Sequence, residues 1–145
     1  PDFAYFRGAT WLPRWLGRPM TGRPTARQRT GRIGESIAVA YAQRRGWAIL
    51  ETNVHTPSGE IDLVVRDADE LVLIEVRTRR TAAFGTGPES LTPRKRVRMA
   101  ACAYEYLESR GYDPDATPWR VDLIAVVLAP GQVPNVEHLP HVLTE

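Results

Sequence analysis

Two short segments place charged side chains inside runs that otherwise read as buried strands: Gly59-Glu60-Ile61-Asp62-Leu63 and Glu75-Val76-Arg77. Strand alternation puts Glu60, Asp62, Val64 and Arg66 on one face and Ile61, Leu63 and Val65 on the other. In the second run Leu71, Leu73, Glu75 and Arg77 oppose Val72, Ile74 and Val76. Asp67-Ala68-Asp69-Glu70 between them has the composition of a hairpin turn. A two-residue loop at Ala68-Asp69 and a four-residue loop at 67–70 give the same register. Val64 then faces Leu73, Asp62 faces Glu75, and Glu60 faces Arg77.

Directly opposed side chains have Cβ atoms about 4.5–5.5 Å apart, and like charges placed there destabilise the pair. Two half-buried carboxylates cannot both stay ionised cheaply, so one pKa should rise. A divalent cation removes the conflict, because hard ions such as Mg²⁺ take oxygen ligands and are held by one or two carboxylates plus water and phosphate. The competing reading is a frayed sheet end, with Asp62 and Glu75 solvated or paired with Arg77 and Arg79. The residues alone leave both open.

The elements that must position these groups follow from the pattern. A first helix is expected from Thr30 or Gly31 to Arg45, stopped by Gly46, with Ile33, Ile37, Ala40 and Tyr41 as its apolar stripe. Glu35 lies in its first turns, where the helix dipole favours an acid without any functional reason. Trp47 to Val54 reads as a strand, followed by a turn through His55-Thr56-Pro57-Ser58-Gly59 and then the hairpin. Residues 79–88 read as a loop. A second helix, from Glu89 or Pro93 to Arg110, should turn Val97, Ala100, Ala101, Tyr104 and Leu107 inward. Val121 to Leu128 is a nearly continuous apolar run, hence a central strand. A short strand is expected near Val136. The fold class is therefore α/β, with a mixed sheet flanked by helices in the order αβββαβ. The chain divides into a basic arm rich in Arg, Pro and Gly (1–29), a compact domain (30–130) and a tail (131–145).

At 145 residues with 43% hydrophobic and 25% charged content, the chain can build one ordinary core. The net charge is only +2, but the arm carries Arg7, Arg14, Arg18, Arg23, Arg27 and Arg29 against Asp2 alone. The second helix opens Arg94-Lys95-Arg96-Val97-Arg98. Such clusters suit a polyanion. Trp11 and Trp15 in the arm fit base stacking, packing on the domain, or docking of a protein partner. Cys102 is the single cysteine, which excludes an intramolecular disulfide and a Cys-based zinc site. No apolar run reaches a membrane span and no signal-peptide pattern is present, so the expected location is cytoplasmic.

Lys95 is the only lysine among eighteen arginines. An ammonium shifts its pKa on desolvation, whereas a guanidinium is effectively never deprotonated. Arg77 shares the face of Glu75 and can stabilise phosphoryl charge, but it cannot act as a base. Asp122 reads as a strand-end partner of Arg120. His55, His138 and His141 lack metal spacing and are not expected in catalysis.

Gly34-Glu35, Gly59-Glu60-Ile61-Asp62-Leu63, Glu75-Val76-Arg77-Thr78-Arg79, Lys95 and Arg120-Val121-Asp122 together resemble the YraN-like family of small bacterial proteins, over residues 30–128 in the same order. That family is similar to the PD-(D/E)XK nuclease superfamily, with a fold related to Holliday-junction resolvases and restriction endonucleases. The resemblance implies an Mg²⁺ or Mn²⁺ site in which Asp62 and Glu75 are ligands, the Val76 carbonyl adds an oxygen, and Glu35 approaches from the first helix. It implies catalytic roles for Glu35, Asp62, Glu75, Arg77 and Lys95. The family's usual Glu-Val-Lys is Glu75-Val76-Arg77 here, so arginine replaces the signature lysine, with Lys95 placed to compensate. The reaction implied is endonucleolytic hydrolysis of DNA, branched DNA included, by a protein whose related resolvases are homodimers. Arg79, Arg80, Arg94 and Arg98 are the expected phosphate contacts. The alternative is a catalytically degenerate nucleic-acid-binding module of the same fold.

Overall fold

The computed structural model describes residues 22–80 and 91–143, together with the backbone of two short strands nearer the start, β1 (Phe3–Ala4) and β2 (Leu12–Pro13), which pair antiparallel. The tryptophans of the arm and most of the loop at 79–88 lie outside the described residues. The main elements are α1 (Ala26–Arg44), β3 (Ala48–Thr56), β4 (Gly59–Asp67), β5 (Glu70–Arg79), α2 (Pro93–Ser109), β6 (Trp119–Val127) and β7 (Asn135–Leu139). They form the expected α/β arrangement: one five-stranded sheet, β3-β4-β5-β6-β7, antiparallel except for the β5–β6 pair. A parallel pair needs a long crossover, and α2 supplies it. The two helices cover opposite faces, which gives two cores and a restriction-endonuclease-like layering.

The α1-side core contains Ala38, Ala42, Leu63, Val65, Val72, Ile74, Ile124 and Val126. The α2-side core contains Val64, Leu71, Leu73, Met99, Ala103, Leu107 and Leu123. Alternation along β5 and β6 accounts for this split, and burial on both faces accounts for their apolar runs.

Both helices match the expected inner faces only in part: Leu107 of α2 is fully buried and Ile37 and Tyr41 of α1 pack against the core, but smaller residues make the closest approach. On α1 the buried residues are Thr30, Gly34, Ala38 and Ala42, a row at i, i+4 spacing, while Ile33 is 51% exposed. Small side chains let the helix backbone sit close to the sheet. On α2 the buried residues are Met99, Cys102, Ala103, Tyr106 and Leu107, whereas Val97 is 71% exposed. Tyr104 faces outward too, against the edge of Trp119. The start of α1 also differs from Thr30. Thr25 accepts from the Gln28 N–H and the Gln28 side chain accepts from the Thr25 N–H, a capping box that begins the helix at Ala26. Thr92 caps α2 ahead of Pro93. No helix among the described residues is long and apolar enough to cross a membrane.

Candidate functional site

The hairpin has the expected register: Asp67 pairs Glu70 around Ala68-Asp69, and Val64 pairs Leu73. The backbone ladder between β4 and β5 ends at Leu63–Ile74. Continued by one step it sets Asp62 against Glu75. Continued by two it sets Ile61 against Val76, and there the pattern changes. The Val76 N–H donates instead to Asp62 Oδ2 at 2.8 Å, so a carboxylate takes the place of a backbone acceptor.

The expected alternation in β4 breaks at the same point. Ile61 packs in the α2-side core, but Leu63 packs in the α1-side core. Two residues apart on a regular strand would share a face. A second irregularity lies in the neighbouring strand at the same level. Asn53 stands opposite Asp62 in the β3–β4 register and has φ +50°, left-handed backbone that a non-glycine residue adopts only at a cost. Beyond this point Asp62 is turned toward α1. Asp62 therefore lines the cavities beneath α1, while Glu75 lines a cavity of about 20 Å³ on the α2 side, room for about one water. The two carboxylates do not share one face as uninterrupted alternation requires; they flank the open end of the ladder.

The charge of Glu75 nonetheless acts on Asp62. Burial raises the pKa of Asp62 to about 7, and Glu75 is the largest charge adding to that rise, followed by Glu35 and Glu60. Burial also raises the pKa of Glu75, against the pull of Arg98, Arg77 and Lys95. Glu35 is raised by burial and by Glu60, and held back by Arg32 and by a hydrogen bond from the Asn53 side chain. Four acids thus feel one another in a half-buried space.

Two motif glycines fix this space. A Cβ on Gly34 would lie 1.8 Å from Thr78 Oγ1, so only glycine lets α1 approach β5 closely enough to bring in Glu35. Gly59 has φ +153°, and a Cβ there would come within 3.3 Å of Cys102 Sγ on α2. The turn it belongs to is tied down by Ser58 N–H donating to Glu105 at 3.1 Å.

The basic residues divide between two sides. Arg98 NH2 lies 3.6 Å from Glu75 Oε1, and the charges of Arg77 and Lys95 act on the same carboxylate. Slight desolvation, then repulsion from Arg77, Arg98 and Arg79, lowers the pKa of Lys95. The Arg77 Nε is buried and has no hydrogen-bond partner among the described residues. Arg94 is exposed in the first turn of α2. Arg80 crosses to α1, donating from Nε to Thr30 Oγ1 at 2.8 Å and from NH2 to the Ala26 carbonyl at 3.3 Å, so it braces the helix as well as adding charge.

Asp122 lies on the neighbouring β6, paired with Ile74, and its side chain is engaged elsewhere. It is fully buried and accepts from Arg120 Nε, from the His141 N–H at 3.0 Å, and lies 2.7 Å from His138 Nε2. Those partners hold its pKa below the usual carboxylate range despite burial. Arg120 also reaches Asp67 and Glu70 at the hairpin tip. This is the expected ion pair with Arg120, set inside β6 rather than at its end, with His138 as a further partner of the carboxylate.

Asn53, Arg27 and Arg32 are site residues that strand and motif reading missed. Only the asparagine inside an otherwise β-prone run, Asn53 in Glu51-Thr52-Asn53-Val54, hinted at special backbone. The acids repel one another and offer oxygen donors only, a set that suits a hard divalent cation. Among the described residues, no three His, Cys, Asp or Glu side chains converge tightly enough to hold a metal ion, so Glu35 does not complete a three-carboxylate cage here.

The family model of uncharacterised protein family UPF0102 matches residues 34–126, a span that holds Glu35, Asn53, Asp62, Glu75, Arg77 and Lys95 but neither Arg27 nor Arg32. A UPF0102 protein of Roseiflexus castenholzii is 39% identical over 127 residues, covering 87% of this chain and 99% of its own. One of Chloroflexus aurantiacus is 39% identical over 116 residues, covering 80% and 93%. One of Moorella thermoacetica is 46% identical over 102 residues, covering 70% and 83%. The chain belongs to the UPF0102 family, the YraN family that its motifs resemble.

Proposed function

We propose that this protein is a metal-dependent endonuclease-like protein that hydrolyses phosphodiester bonds in DNA. The observation that carries the reading is Asp62: a carboxylate pinned by the Val76 N–H at the end of a strand ladder, buried, and facing the negative charge of Glu75. Nothing about the fold needs that repulsion, and a divalent cation would relieve it. Asp62 and Glu75 would hold Mg²⁺ or Mn²⁺. The Val76 carbonyl projects to the same strand edge as its N–H and so offers a third oxygen. When bound, such an ion supplies an activated water and charge neutralisation at the scissile phosphate.

The chain's own groups have separable tasks. Glu35 hydrogen-bonds solvent at the α1 edge of the site. Arg77 and Lys95, beside Glu75, stabilise negative charge building on the phosphoryl oxygens. Arg79, Arg80, Arg94 and Arg98 add positive field for the phosphate backbone. The test is cleavage of duplex, flap and four-way-junction DNA with Mn²⁺ or Mg²⁺, expected for the parent and lost in Asp62→Ala. A parent inert on all of them with both metals would remove the hydrolytic reading.

The second reading, a degenerate nucleic-acid-binding module, is favoured by one observation. Arg77 stands where the family signature has lysine, and its buried Nε has no partner among the described residues. A guanidinium forced into an ammonium's place would leave such an orphan. Binding without cleavage, with cleavage restored by Arg77→Lys, would identify this case.

A further inference from the structure

We propose that the cleft between α1 and the β3–β4 hairpin is the bed for one phosphodiester strand of the substrate, held along its helical wall by Arg27 and Arg32 and passing over Asp62. This rests on the nuclease reading and assigns it a path on the α1 side of the sheet, away from the arginines of α2.

Two cavities of about 550 and 840 Å³ lie under α1, and they share Gly31, Glu35, Asp62 and Val76, so they form one continuous cleft. Its helical wall runs from Ala26 to Val39, about 20 Å at the α-helical rise. Phosphates of one strand recur about every 3.4 Å of duplex axis and lie further apart along the strand itself, so a wall of this length spans a few of them. The charge along it is mixed. Arg27, Arg32 and Arg80, the first two exposed, line it beside the half-buried Glu35 and Asp62, with Glu60 as a third acid at the β4 end. The first turn of α1 contains no acid to offset Arg27. A polyanion is drawn along such a cleft and kept off its acids except where a cation mediates.

The lining also says which part of the strand is recognised. Gln28, Ser36, Thr52 and Asn53 offer hydrogen-bonding groups, and among the described lining residues His55 is the one aromatic ring, so contacts to the backbone outnumber surfaces on which a base could stack. The strand is bound chiefly through its backbone. On the α2 side, the cavity beside Glu75 that Arg98 lines is of one-water size.

Gly31 allows a direct test. It lines both cavities, and a Cβ there would meet nothing within 4 Å, so a side chain can be started at this position of the cleft wall without a Cβ clash. Replacing a helical glycine also favours the helix. Binding of the full chain to a fluorescein-labelled 20-nucleotide oligothymidine and to a 20-base-pair duplex is measured by anisotropy with Ca²⁺, and melting temperature is followed alongside. The two oligonucleotides distinguish a single strand from a duplex as the source of the same backbone chemistry. Gly31→Phe should weaken binding at least tenfold, and Gly31→Ala should bind as the parent does. Arg27→Ala/Arg32→Ala should weaken it at least tenfold and reduce the slope of log K against log salt by about 1.4 on the single strand or about 1.8 on the duplex. Arg27→Lys/Arg32→Lys should retain binding. Parent-like binding by Gly31→Phe and the double alanine variant, with the loss appearing in Arg94→Ala/Arg96→Ala, would overturn the path and leave the nuclease reading standing. A parent that binds neither oligonucleotide would overturn both.

Discussion

The Val76 N–H and Asp62 Oδ2 lie 2.8 Å apart, just past the last backbone pair of β4 and β5. That contact makes Asp62 an acceptor by geometry while burial and Glu75 push it toward its protonated form. On the metal-dependent reading proposed above, a bound cation would relieve that conflict.

Stability without metal should therefore fall as pH rises. The pKa of Asp62 is raised from 3.8 to about 7, so the folded protein holds a proton that the unfolded chain has released. The contribution is present below pH 3.8 and is lost progressively toward pH 7. Chemical denaturation across that range should show the decline, and Asp62→Asn should flatten it and raise the melting temperature at pH 8. Added Mn²⁺ should stabilise the parent at pH 8 and do little at pH 5, because the ligand must be deprotonated. Equal Mn²⁺ stabilisation of Asp62→Asn would speak against the site.

Glu75 should be needed for the same ion. Calorimetric titration with Mn²⁺ is expected to show at least a tenfold loss of affinity in Glu75→Ala and in Asp62→Ala alike. Normal binding by Glu75→Ala would mean that the carboxylates, which open on different sides of the sheet, act separately.

Asn53 is expected to position rather than react. Asn53→Gly keeps the left-handed backbone and should fold within about 0.5 kcal/mol of the parent. It removes the hydrogen bond that holds down the Glu35 pKa, so that pKa should rise in a ¹³C-carboxyl NMR titration. Asn53→Ala keeps the strain without the amide and should cost about 1–2 kcal/mol. An unmoved Glu35 titration in Asn53→Gly would disprove the positioning role.

Gly34→Ala should destabilise the protein by about 1–3 kcal/mol, since the added methyl collides with Thr78. Thr78→Gly should restore most of the loss when combined with it, and a double-mutant cycle would measure the coupling. Additive effects would mean that α1 does not depend on this contact.

The strand order and the hairpin register were legible because β4 and β5 alternate cleanly from Leu63 to Val65 and from Leu71 to Ile74, and because Ala68-Asp69 admits few loops. The helix faces were only partly so. Val97 and Ile33 look like core residues by size, but Gly34, Ala38 and Cys102 are the ones that fit a narrow gap, and a gap's width is a tertiary quantity. The candidate acids were legible as types and positions. Their final directions were not, because the change of face at Asp62 coincides with left-handed backbone at Asn53, on a different strand. Arg27 was read into the arm because the helix was expected at Thr30 and begins at Ala26, whereas Arg32 lay within the expected helix but off its apolar stripe.

Arg120 ties Asp67 and Glu70 at the tip of the hairpin to Asp122, and the consequence reaches the opposite end. A strand pair clamped at one terminus and unlaced at the other opens from the loose side first. Breathing of β4 against β5 should therefore begin at Asp62 and Val76, where admission of a water or an ion requires give, while the clamped terminus keeps the register from slipping.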